Sequence, residues 1–116
     1  EGLMSEKELH EYLLSFPNAW LDYPFGEDTA VFKVGHKDVP GQSEKMFALI
    51  TEGSNPVRLS LKTDPELNET LQQKYETVLP GYHSNKKHWM TIICTGQLSD
   101  DETKDLANLS YQLVVE

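Results

Sequence analysis

The densest group of chemically capable side chains lies in residues 79–89, a segment that holds two aromatic residues, two histidines and two lysines. Lysine ammonium groups attract phosphate, and aromatic rings offer flat surfaces on which unpaired bases stack. Basic residues on nearby predicted strands add further groups that attract phosphate. The pattern therefore predicts a surface for nucleic acid or another anion, formed by Lys33, Arg58, Lys62, Tyr82, His83, Lys86, Lys87 and Trp89.

The histidines do not form a recognisable metal-ligand pattern. His83 and His88 are five positions apart, which differs from the i, i+4 pair of a helical zinc site, and no carboxylate triad or cysteine cluster lies nearby. His10 and His36 fall in other predicted elements. We therefore predict no metal ligands and no cofactor.

Motifs of enzyme active sites are also missing from the sequence. We find no glycine-rich phosphate loop, no nucleophile elbow and no HExxH motif. The single cysteine, Cys94, lies in an apolar run without an activating neighbour, and is predicted to be buried and inert. One cysteine excludes an internal disulfide and no signal peptide is visible, so we expect a cytoplasmic protein that is not an enzyme.

The net charge of −9 opposes a simple polyanion-binding role, but the charge is unevenly distributed. The predicted helical segments 1–16, 64–79 and 99–116 hold thirteen acidic residues and three lysines, whereas the rest of the chain carries a net +1. Solvating carboxylates on amphipathic helices are a sufficient explanation of the acidic part. The strands nevertheless carry mostly basic outward groups, which predicts a mildly basic sheet face.

Three helices are predicted from capping signals and apolar spacing. Ser5 with Glu8, and Ser99 with Glu102, have the form of capping boxes, and Asp64-Pro65 is a typical helix start. The expected helices cover residues 5–15, 65–78 and 100–114.

Strands are predicted at residues 30–35, 45–51, 57–62 and 88–94, and the first three should form an antiparallel meander. Residues 18–26 are expected to be extended and partly buried. The order of elements indicates one α+β domain over residues 1–116, a two-layer sandwich with helices on one face of an antiparallel sheet. Residues 1–3 are predicted to be a remnant that precedes a natural start at Met4.

Six short motifs, in order and at matching separations, closely resemble the MmcQ/YjbR family of small bacterial proteins. They are Tyr-Pro-Phe-Gly at 23–26, Lys-Met-Phe-Ala at 45–48, Leu-Lys-Thr-Asp-Pro at 61–65, Pro-Gly-Tyr-His at 80–83, Asn-Lys-Lys-His-Trp at 85–89 and Leu-Ser-Tyr-Gln-Leu-Val at 109–114. The resemblance implies a CyaY-like fold and DNA binding through a "double wing", which we map onto the 35–45 loop and the 52–57 turn. It implies no catalytic residues.

These observations together predict a monomer that binds DNA weakly and in a salt-dependent manner, without a membrane segment. A module for a protein partner or a small anionic ligand, with no role in nucleic-acid binding, is the alternative.

Overall fold

The computed structural model describes residues 4–36, 38–41, 43–81 and 86–115. The elements follow in the order α1 (Glu6–Leu14), β1 (Ala19–Asp22), β2 (Thr29–Val34), β3 (Lys45–Thr51), β4 (Arg58–Lys62), α2 (Pro65–Lys74), β5 (Val78–Pro80), β6 (Trp89–Ile93) and α3 (Asp100–Val115). The strands form one sheet in the order β1-β2-β3-β4-β6-β5, and every neighbouring pair is antiparallel. The predicted meander and the two-layer α+β arrangement are confirmed.

One face of the sheet is covered by the helices. In β4, Leu59 and Leu61 point into a core shared with all three helices, whereas the alternating residues Arg58, Ser60 and Lys62 lie on the opposite face. We call this opposite face, on which no described helix packs, the helix-free face. The largest fully buried apolar side chains are Phe32, Phe47, Leu9, Leu13, Ile50, Leu59, Leu61, Met90, Ile92 and Val31.

The helix starts have the predicted caps. Both capping boxes are formed, since Ser5 and Ser99 accept from the backbone N–H groups of Glu8 and Glu102 while those glutamates accept from the serine N–H groups. The Asp64 carboxylate caps α2 at the backbone N–H of Leu67. None of the described helices has the length and apolar content needed to cross a bilayer.

The prediction for residues 65–78 needs correction. The second helix ends at Lys74, because Tyr75 is extended (φ −126°, ψ 125°) and Val78 begins an edge strand against β6. Pairing with β6 outweighs the helical spacing of Val78, which is the usual effect of tertiary context on local propensity. The extended segment 18–26 contains β1, which begins after the positive-φ residue Asn18.

Candidate functional site

Three of the predicted binding residues meet at one end of the sheet. Lys62 ends β4 and is paired with Trp89, the first residue of β6, and the exposed Lys86 and Lys87 lie in the turn that leads into β6. A backbone hydrogen bond of 2.8 Å from Thr63 to the carbonyl of His88 joins the two segments. This arrangement brings three lysines to the same end, and we call Lys62, Lys86 and Lys87 the basic end.

The turn of the basic end is held by a side chain of α2. The Asn68 amide nitrogen donates to the backbone carbonyls of Lys86, Lys87 and Trp89 at 3.0, 3.1 and 3.1 Å, and its oxygen accepts from Gln72 at 2.6 Å. Asn68 is only 1% exposed. Its two amide hydrogens therefore serve three acceptors, which fixes the backbone under both lysines. Sequence reasoning missed Asn68. The only indication of its role in the sequence is that a polar residue lies beside the inward Leu67 and Leu71.

Arg58 shares a face with Lys62 but lies at the opposite end of β4. The two residues are four positions apart, or about 13 Å along a strand. Between them Ser60 bonds Thr91 of β6 at 2.9 Å, so the strip is polar. The predicted wings also separate: the 35–45 loop joins β2 to β3 at the end of the sheet that carries Lys62, whereas the 52–57 turn adjoins Arg58.

Lys33 does not contribute an available cation. It lies on the helix-free face as predicted, but it is 6% exposed and its ammonium group contacts Asp22 at 3.0 Å and Glu44 at 2.9 Å. Burial lowers the pKa of Lys33, but the hydrogen bonds and charges of Glu44 and Asp22 outweigh it and raise the pKa above the ordinary value. Because the ammonium group is enclosed by carboxylates, Lys33 belongs to the structure of the sheet rather than to an anion-binding surface.

Glu44 lies near Lys33 because the backbone of Ser43 packs directly against Gly35. This residue has φ +79°, and a Cβ there would collide with the carbonyl oxygen of Ser43. Its own carbonyl accepts a 2.7 Å hydrogen bond from the Trp20 indole, and the Lys33 ammonium lies 5.4 Å from the centre of the Trp20 ring.

The aromatic part of the prediction also changes. Trp89 is 7% exposed, so it cannot stack on a base, and Tyr82 and His83 lie outside the described residues. The structure instead places a partly exposed aromatic pair at the other edge of the helix-free face, where Trp20 stacks on His36 with ring centres 4.6 Å apart. Sequence reasoning missed this pair because its members lie sixteen residues apart on different elements.

The remaining chemically capable groups are distributed elsewhere. Cys94 is partly buried, and burial, aided by the charge of Asp100, raises the pKa of its thiol to about 11, so the thiol stays protonated at neutral pH. A cavity of about 220 Å³ opens between α2 and α3, and Lys62, Leu67 and Leu109 contribute to its lining. Glu6, His10 and Glu52 bring three potential ligand atoms together at the end of the sheet opposite the basic end.

This fold and its motifs agree with sequence comparison. The sequence profile of the YjbR family matches residues 14–113, and the chain belongs to that family. Protein YbdF of Escherichia coli O157:H7 is 36% identical over 97% of this chain and 89% of its own length. Protein YjbR of Escherichia coli strain K12 is 35% identical over 97% of this chain and 88% of its own length.

Solved structures share the architecture. The crystal structure of Deinococcus radiodurans protein DR2400, a DUF419 domain, is similar with a TM-score of 0.89 at 36% identity, covering 98% of this chain and 80% of that chain. The crystal structure of a Pseudomonas syringae protein gives a TM-score of 0.75 at 31% identity, covering 95% and 98%. The resemblance to the family, first recognised in six motifs, is confirmed.

Proposed function

We propose that this protein is a non-enzymatic DNA-binding module whose basic end contacts phosphates. The observation that supports this most is the convergence of Lys62, Lys86 and Lys87 on an anchored backbone. A positioned cluster loses less conformational freedom on binding than lysines on a free loop, and it favours phosphate contacts at a fixed spacing.

Charge segregation makes this proposal compatible with the net charge of −9. Nine of the nineteen carboxylates lie in the three helices, which cover the far side of the sheet. On the near side, the carboxylates of Asp22 and Glu44 are paired with Lys33. Exposed charges more than a Debye length apart are largely screened, and this length is about 8 Å at physiological ionic strength. The basic end therefore acts as a local cationic site.

Few phosphates are contacted in this proposal, so affinity is modest and depends on salt. Three contacts at the basic end correspond to a slope of about −2.7 for the logarithm of the binding constant against that of salt concentration on duplex DNA. A fourth contact, from Arg58, requires DNA to cross the helix-free face and makes the slope about −3.6.

The test is fluorescence anisotropy with short single- and double-stranded DNA over a series of salt concentrations. The double variant Lys86→Ala/Lys87→Ala should keep the fold, since Asn68 contacts the backbone of these residues rather than their side chains. We expect it to bind more weakly at low salt and to have a duplex slope smaller in magnitude by about 1.8.

The matched control is Lys7→Ala/Lys104→Ala, which changes the net charge equally but alters helices. It should leave the salt slope unchanged. Equal weakening by both double variants would indicate an effect of overall charge and contradict a site at the basic end. Absence of DNA binding by the parent protein at low salt would contradict the proposal itself.

A small anionic ligand is the second candidate, and the cavity beside Lys62 is the observation that favours it. Leu67, Leu106 and Leu109 give the cavity an apolar wall, and Lys62 and Asp64 both lie at its lining. This lining suits an apolar body whose single anionic group pairs with Lys62 rather than approaching Asp64. A Leu109→Trp variant would fill the cavity. Loss of binding of medium-chain fatty acids in this variant, with DNA binding retained, would assign the cavity to a separate ligand, whereas absence of fatty-acid binding by the parent would dismiss this candidate.

A further inference from the structure

A second cluster lies away from the basic end, where α1 meets the turn after β3. Glu6 and His10 are one helical turn apart on α1, so their side chains emerge on the same side of the helix. Glu52 joins them from the β3–β4 turn. The three potential ligand atoms, one from each residue, all lie within 4.8 Å of one another.

The imidazole of His10 is held with its Nε2 atom buried between two carboxylates. The Nε2 atom lies 3.0 Å from Oε2 of Glu52 and 4.0 Å from Oε2 of Glu6. It is inaccessible to solvent, and within the described part of the chain its contacts with these carboxylates are ion-pair contacts rather than hydrogen bonds. A cation bound between the three side chains would give Nε2 a well-aligned partner and balance the two carboxylates.

The surrounding contacts orient all three ligand-bearing side chains. The backbone N–H of Gly53 donates to Oε1 of Glu6 at 3.2 Å, and the Tyr23 hydroxyl donates to Oε2 of Glu52 at 3.2 Å. The His10 and Phe32 rings form an edge-to-face contact with ring centres 5.1 Å apart, and this contact orients the imidazole. Such outer contacts fix ligand orientation in metal sites.

We propose that Glu6, His10 and Glu52 form a binding site for a divalent transition-metal ion, with Zn²⁺ as its representative. One imidazole and two carboxylates supply three ligands of the kind that zinc accepts, and water supplies the fourth in a tetrahedral site. Ligand atoms at about 2.1 Å from zinc are about 3.4 Å apart in a tetrahedron, which lies between the observed separations of 3.0 and 4.0 Å. Small side-chain rotations would complete the geometry.

The bound ion would join α1 to the β3–β4 turn. This linkage is independent of the proposed DNA binding, because the basic end lies at the other end of the sheet. Sequence reasoning predicted no metal ligands since Glu52 is 42 positions from His10 and only the fold brings them together.

The test is isothermal titration of the tag-free full chain with Zn²⁺ after treatment with a chelator. We expect one equivalent to bind, and at least a tenfold loss of affinity in each of His10→Gln and Glu52→Gln. Glu11→Gln, an exposed acidic position on the same helix, and His88→Gln, an exposed histidine elsewhere, should bind as the parent does.

A second measurement keeps the test valid if a variant is poorly folded. In the parent protein, Zn²⁺ should shift the Nε2 resonance of His10 in ¹⁵N spectra of histidine rings, and His36 and His88 should not shift at stoichiometric metal. No Zn²⁺ binding in the sub-millimolar range, binding that His10→Gln and Glu52→Gln leave intact, or binding that shifts other histidines first would each overturn the proposal.

Discussion

Lys33 and Lys62 lie on the same face of the sheet, two strands apart, yet their surroundings give them different roles. Lys62 is partly exposed at the end of β4, beside a turn that carries two further lysines. Lys33 is enclosed by Asp22, Glu44 and the Trp20 ring. The alternation of residues along a strand predicts the face of a lysine, but neighbouring strands and loops decide whether its charge is available.

Replacement of Lys33 by alanine should destabilise the protein, but it should not remove a positive charge that is available to a ligand. Two carboxylates would lose their shared partner in a partly buried place, at a cost of about 1–3 kcal/mol in the free energy of unfolding. Urea denaturation measures this loss. Lys45→Ala, an exposed lysine at the start of β3, should change stability by less than about 0.5 kcal/mol.

The contribution of Lys33 should also depend on pH. Its pKa is raised in the folded state, so the stabilisation is present below its unfolded pKa and is lost as pH rises through the folded pKa. The stability difference between the parent and Lys33→Ala should therefore shrink only in strongly alkaline solution. An equal stability of the two proteins at neutral pH would contradict the structural role of Lys33.

At the scale of elements, α2 and the 86–89 turn form one unit. The helix is capped by Asp64 and packs along β5, but its most consequential side chain for the basic end is Asn68. A second polar bridge has the same character: the buried Ser110 hydroxyl of α3 donates to the carbonyl of Phe47 and accepts from the N–H of Lys62. Helical side chains thus satisfy backbone groups that the sheet ladder leaves unpaired.

Replacement of Asn68 by alanine should destabilise this unit. The carbonyls of Lys86 and Lys87 would lose the Asn68 donor, and that of Trp89 would keep only the N–H of Gly81. We expect a loss of about 2–4 kcal/mol in the free energy of unfolding. Hydrogen exchange in the 86–89 turn should accelerate along with the loss measured by urea denaturation. The neighbouring exposed substitution Glu69→Gln should be nearly neutral, and a similar effect of both changes would refute the anchoring role.

At the scale of the whole molecule, charge is divided between the two layers. Acidic residues begin all three helices, at Glu6 and Glu8, at Glu66, and at Asp100, Asp101 and Glu102, where they also interact favourably with the helix dipole. The helix-free face carries Arg58 and Lys62. The sheet lies between the two sets, so under the proposed function the acidic layer would act on an anion at the basic end through long-range repulsion rather than contact.

This division predicts a distinctive salt response. The variant Asp101→Asn/Asp105→Asn removes two exposed carboxylates from α3, and should raise DNA affinity at low salt by less than about tenfold. The gain should vanish near 0.15 M salt, where the Debye length is about 8 Å. Anisotropy titrations of parent and variant at the two salt concentrations measure this, and a gain that persists at 0.15 M would show that α3 lies within contact distance of the DNA.

The sequence by itself determined the features that depend on short-range chemistry. Capping boxes, the Asp64-Pro65 start and period-two alternation in residues 57–62 predicted the helix starts and the strand faces, because each interaction involves residues within about four positions. The six family motifs and the acidic character of the helices could also be identified from the sequence alone.

Only the tertiary structure decided which side chains meet. It paired Lys33 with Asp22 and Glu44, turned Val78 from a helix into β5, and put Asn68 beneath the basic end. It also brought Glu52 to His10. The physical reason is the same in each case: strand pairing and layer packing join residues that are distant in sequence, and the energies of those contacts outweigh the local preferences from which a sequence is read.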